Sequence, residues 1–107
     1  MSSLGLPIAV SDAEWKIIQN ILSKFIPNFE VWAFGSRARF TQKPFSDLDI
    51  AVINNVPIEL SKMADLHNAF TDSDLPYKVD IVDWQNTAKD FQDLIKLDHV
   101  VIQKHQN

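Results

Sequence analysis

The chain has 107 residues, 46 % of them hydrophobic, and no cysteine. This suits one compact domain over residues 1–107 and excludes a disulfide framework or a thiolate metal site. Its formal charge of -4, from 14 acidic and 10 basic residues, argues against broad nucleic-acid binding through phosphates.

No apolar run approaches the roughly 18 residues needed to span a bilayer. The start, MSSLGLPIAV, has neither a basic n-region nor a long apolar h-region. A cytoplasmic protein without a membrane partner is expected.

The first predicted element is an amphipathic helix. Ser11 followed by Glu14 is a capping-box pattern, Trp15, Ile18, Leu22 and Phe25 recur at helical spacing, and Pro27 stops the run. FEVWAF then reads as a short strand ending at Gly35, SRARFTQ as a helical turn and KPFS as a loop. DLDIAVI alternates as a strand should. Leu48, Ile50 and Val52 point one way, and Asp47, Asp49 and Ala51 the other.

PIELSKMADLHNAF reads as a second helix, with Leu60, Met63, His67 and Phe70 on or near one stripe. YKVDIVDW gives a third strand, and TAKDFQDLIKL a third helix using Phe91, Leu94 and Ile95. HVVIQ fits a last short strand or a frayed tail, and local sequence does not separate the two. The order implies an α/β (α+β) fold, a small sheet packed with helices.

Two aspartates one residue apart, inside an apolar strand, demand a reason. They share a face roughly 7 Å apart along the backbone, and Asp80 reaches the same spot if its strand is a neighbour. At about 4 Å and an effective dielectric near 20, each like-charged pair costs about 4 kcal/mol. Compensation could come from Arg37, Arg39, Lys43 or Lys78 as salt-bridge partners, or the aspartates could simply sit at wet strand ends. The other source is a divalent metal, for which an all-oxygen carboxylate set suits Mg²⁺. A pair of such ions serves phosphoryl or nucleotidyl transfer. Gly35 allows backbone to approach a ligand closely, and Ser36 offers a hydroxyl to a phosphate.

Gly35, Ser36, Asp47 and Asp49 form G-S-x10-D-x-D, with Asp80 on a later strand. Together with the wording GSRAR, this pattern resembles the polymerase-beta-like nucleotidyltransferase superfamily. Within it, the chain is similar to the minimal nucleotidyltransferase antitoxins encoded beside HEPN-domain toxins. The resemblance implies that fold, with ATP as substrate and Mg²⁺ held by Asp47, Asp49 and Asp80. It also implies transfer of AMP to a tyrosine of the HEPN toxin. Gly35 and Ser36 would hold phosphate, and Arg37 or Arg39 would add positive charge.

Phe40 stands where many relatives carry glycine. Two other functions fit the residues: an antitoxin that only binds and occludes its toxin, and a nucleotidyltransferase acting on small molecules. His67, His99 and His105 lack metal-ligand spacing. Asp83 reads as a turn or cap residue, and Trp32 and Phe34 as core or interface.

Overall fold

The computed structural model describes residues 5–55 and 57–104; His105 lies outside them. Helix α1 (Asp12–Phe25) starts as its capping box requires. The Ser11 hydroxyl accepts from the Glu14 amide and the Glu14 carboxylate accepts from the Ser11 amide, both at 3.1 Å. Strand β1 (Glu30–Phe34) leads directly into the one-turn helix α2 (Ser36–Arg39), and β2 (Leu48–Ile53) follows the loop. After these come α3 (Leu60–Thr71), β3 (Val79–Asp83), a 3-10 turn at Trp84–Asn86, α4 (Lys89–Leu97) and β4 (His99–Gln103).

The sheet is mixed, in the order β3-β2-β1-β4. β1 is antiparallel to both β2 and β4, whereas β2 and β3 are parallel and joined through α3. A parallel pair needs such a crossover, which explains the helix between two short strands. The C-terminal segment HVVIQ is a strand because β1 offers it an open edge, with Phe34 opposite His99 and Ala33 opposite Val100. That pairing spans the whole domain, so local sequence had no means of deciding it.

One face of the sheet forms the main core. Val31, Leu48, Ile50 and Val52 meet Ile18 and Leu22 of α1 and Leu66 and Phe70 of α3, all buried. At about 25 cal/mol per Å², each of these large side chains contributes roughly 1.5–3 kcal/mol by leaving water. The α3 stripe differs from expectation. Leu66 turns inward beside Phe70 and the partly buried Met63, while Leu60 is 88 % exposed and His67 is exposed. The helix is rotated so that a leucine, rather than a histidine one position on, takes the apolar site.

The opposite face carries aromatic rings and carboxylates. Trp32 stacks on His99 with centroids 3.8 Å apart and meets Trp84 edge-on at 5.2 Å. Phe34 meets Phe91 of α4 edge-on at 5.7 Å. Trp32 and Phe34 therefore join β1 to the C-terminal elements. Among the described residues no helix is long and apolar enough to cross a membrane.

Candidate active site

The site begins where β1 ends. Gly35 has φ 79 and ψ -161, a backbone conformation essentially restricted to glycine. A Cβ added there would collide with Oδ2 of Asp49 and lie 3.4 Å from its Cγ. The missing side chain of Gly35 is thus the space that the Asp49 carboxylate fills. The glycine's carbonyl accepts the amides of Ala38 and Arg39 at 3.1 and 3.2 Å, which opens α2 with Ser36 as its first residue.

Phe40 ends α2 with φ 60 and ψ 36, the left-handed conformation. Glycine adopts this without cost, whereas a phenylalanine does not, and here the ring remains 57 % exposed.

Parallel pairing places Asp49 directly beside Asp80. The charge of Asp80 therefore acts on the Asp49 carboxyl at close range. Burial first, then the charges of Asp80 and Asp47, push the Asp49 carboxyl up to about 6 from 3.8. Asp47 sits just before β2 begins, where the chain enters the sheet. From there it acts on Asp49 through its charge, and the described residues contain no preformed cage of three metal-binding side chains. The expected convergence is not found as a group of three among the described residues: Asp49 and Asp80 are neighbours in register, and Asp47 acts on Asp49 through its charge.

Among the described residues the ion pairs are Arg39–Asp98 and Lys89–Asp93. Neither compensates Asp47, Asp49 or Asp80, so salt bridges do not explain the cluster; water reaches it, since Asp80 is exposed and Asp47 and Asp49 are part-buried. The donor set fits Mg²⁺, which takes one or two carboxylates and completes its shell with water and phosphate oxygens.

The two arginines separate. Arg39 is exposed, with Nε 2.6 Å from Oδ2 of Asp98, at the rim of a cavity of about 400 Å³. Phe34, Gly35, Asp49, Phe91 and Leu94 also line that cavity. Arg37 is 4 % exposed. Its Nε, Nη1 and Nη2 donate to the carbonyls of Ser46, Ala9 and Pro44 at 2.9, 2.8 and 3.1 Å. The ring of Tyr77 lies 3.8 Å from its guanidinium carbon. This side chain is enclosed by protein rather than presented to a ligand.

Asp83 caps the 3-10 turn, accepting from the main-chain amide of Gln85 and the side-chain Nδ2 of Asn86, as its strand-end position predicts. Two contributors had no signal in the sequence. Asp98 meets Arg39 across 59 positions of chain, and Tyr77 closes over Arg37 from beyond α3.

The family model for polymerase beta nucleotidyltransferases matches residues 16–107. The chain belongs to that nucleotidyltransferase family. A curated relative, the probable protein adenylyltransferase MntA of Haemophilus influenzae, is 40 % identical over 97 residues. The alignment covers 91 % of this chain and 85 % of that protein. Among solved structures, a toxin–antitoxin complex with AMP-PNP contains a similar chain, with TM-score 0.71 and 25 % identity. The match covers 86 % of this nucleotidyltransferase and 74 % of that chain. A tyrosine-to-alanine mutant of an MntA toxin–antitoxin complex matches with TM-score 0.68 and 28 % identity, over 87 % and 73 % of the two chains.

Proposed function

We propose that this nucleotidyltransferase is an antitoxin that transfers AMP from ATP to a tyrosine hydroxyl of a cognate HEPN-domain toxin and thereby silences it. The observation that carries this reading is Asp49, seated in the space left by Gly35 and directly beside Asp80, with no cation paired to either among the described residues. Such a pair is expensive to keep and is relieved by a cation brought with a nucleotide. The 40 % identity to a probable protein adenylyltransferase supports a protein acceptor.

Asp47, Asp49 and Asp80 would hold Mg²⁺, which when bound neutralises triphosphate charge and favours ionisation of the acceptor hydroxyl. The chain's own residues do the rest. Gly35 and Ser36 bring main-chain and hydroxyl groups to the phosphates beside the carboxylates, and Arg39 at the cavity rim adds positive charge. In the transfer, the acceptor oxygen attacks the α-phosphorus and a new O–P bond forms. The bond from that phosphorus to the bridging oxygen breaks, and pyrophosphate leaves with the electron pair. The hydroxyl proton passes to a carboxylate oxygen of Asp80, the exposed member of the pair.

The test is to incubate the chain with α-labelled ATP, Mg²⁺ and the protein encoded beside it. Label on the partner, lost in the double variant Asp47→Asn, Asp49→Asn, is expected. A double variant that still silences the partner, with no label in the wild type, would replace catalysis by occlusion.

A further inference from the structure

Arg37 stands out once the carboxylates are accounted for. It is a buried cation with no carboxylate partner among the described residues, solvated by three main-chain carbonyls and one aromatic face. Burying a charge in this way is costly, and an apolar residue of similar volume is often as stable or more so. A core that only needed filling would gain nothing from a guanidinium. What the guanidinium offers is a planar fork of donors at fixed angles, which can hold several chain segments in one mutual geometry.

The segments it holds are those that carry the site. Arg37 is the second residue of α2, so its backbone continues directly from Gly35 and Ser36. Its Nε donates to the carbonyl of Ser46, the residue immediately before Asp47, and Nη2 donates to Pro44 in the same loop. One rigid plane therefore spans from the Gly-Ser turn to the start of the carboxylate strand.

The far side of the fork is anchored as well. Nη1 donates to the carbonyl of Ala9 and the Arg37 carbonyl accepts from the Ala9 amide, at 2.8 and 2.9 Å. Tyr77 covers the guanidinium face and donates its hydroxyl to Glu14, the same carboxylate that completes the α1 cap. The loop itself adds little internal restraint beyond the reciprocal contacts of Lys43 and Ser46.

We infer that Arg37 is a positioning residue for nucleotidyl transfer: it sets the distance between the Gly35–Ser36 turn and Asp47 without touching the nucleotide. The inference rests on the transfer reading above for its kinetic consequence, but its structural content stands apart from it. Displacements of about 1 Å at a reacting centre can cost ~100-fold in rate. Loosening the fork should therefore appear in kcat rather than in nucleotide affinity.

The experiment compares wild type with Arg37→Lys, which keeps the charge and loses the fork, in the presence of the partner. We expect kcat to fall roughly 10- to 100-fold, with KM for Mg²⁺-ATP changed less than about threefold. Wild-type kcat in a folded Arg37→Lys protein would overturn the inference. So would a tenfold rise in KM with kcat retained, which is the signature of direct phosphate contact.

If Arg37→Lys does not fold, Tyr77→Leu is read in the same way, since it removes the clamping ring and keeps apolar bulk. A fall of about threefold or more in kcat at unchanged KM supports the role, and wild-type kcat refutes it. Hydrogen exchange provides a readout independent of any reaction. In Arg37→Lys or Tyr77→Leu, amides of Ser46–Leu48 should exchange about tenfold faster while those of α1 keep their protection. Equal exchange at Ser46–Leu48 would overturn the inference. Should wild type transfer nothing, the proposed function fails and this exchange measurement alone decides the role of Arg37.

Discussion

Replacing Asp49 by asparagine should stabilise the protein while removing its activity. The carboxyl is held at about 6 instead of 3.8 by burial and by the neighbouring charges of Asp80 and Asp47. The folded state therefore binds the Asp49 proton more tightly than the unfolded chain does. Raising the pH from about 4 through 6 strips that proton and removes stability, and the full penalty is present at pH 7–8.

Holding the carboxyl at about 6 rather than 3.8 corresponds to roughly 3 kcal/mol. The side chain is only part-buried, so solvent screening reduces this to about 1–2 kcal/mol. In a domain of this length that is a rise in Tm of roughly 4–8 °C. Asparagine preserves the shape and can donate to Asp80, so no new void offsets the gain. The assay is thermal denaturation of both proteins with chelator, at pH 8 and again at pH 4. The gain should be present at pH 8, vanish at pH 4, and shrink when Mg²⁺ is added to the wild type at pH 8. An Asp49→Asn protein no more stable than wild type at pH 8 would refute the reasoning. So would a gain of equal size at pH 4.

Gly35→Ala should cost about 2 kcal/mol or more in urea denaturation, because alanine resists the backbone conformation and its Cβ collides with Asp49 Oδ2. Pairing it with Asp49→Ala should recover part of the collision cost but not the backbone cost. Phe40→Gly should raise stability by about 0.5–1 kcal/mol, read as a higher Tm, because the left-handed residue then carries no Cβ and the lost ring was mostly exposed.

The central site was legible because its signals are local. Period-two alternation put Leu48, Ile50 and Val52 on the core face and left Asp49 on the other, and the structure agrees. Gly35 announced itself as a glycine directly after an aromatic strand, and Phe40 drew notice as the residue standing in a glycine's place. The register of Asp49 with Asp80 was conditional on two strands being neighbours, and that is settled only by tertiary pairing through the α3 crossover. The same applies to β4, whose partner is β1 some seventy positions earlier. Arg37 misled for a related reason. An arginine beside a Gly-Ser turn reads as a phosphate ligand, and nothing local reveals that Ala9, Pro44, Ser46 and Tyr77 will close around it.

The central claim is that this chain acts on its partner as a catalyst. The most direct measurement titrates the wild-type chain against the ribonuclease activity of its cognate toxin in Mg²⁺-ATP, with the intact mass of the toxin followed in parallel. Catalysis predicts complete silencing far below one chain per toxin, accompanied by whole AMP increments on the toxin and abolished by Asp49→Asn. Silencing only at one-to-one equivalence, regardless of ATP and without added mass, would contradict it.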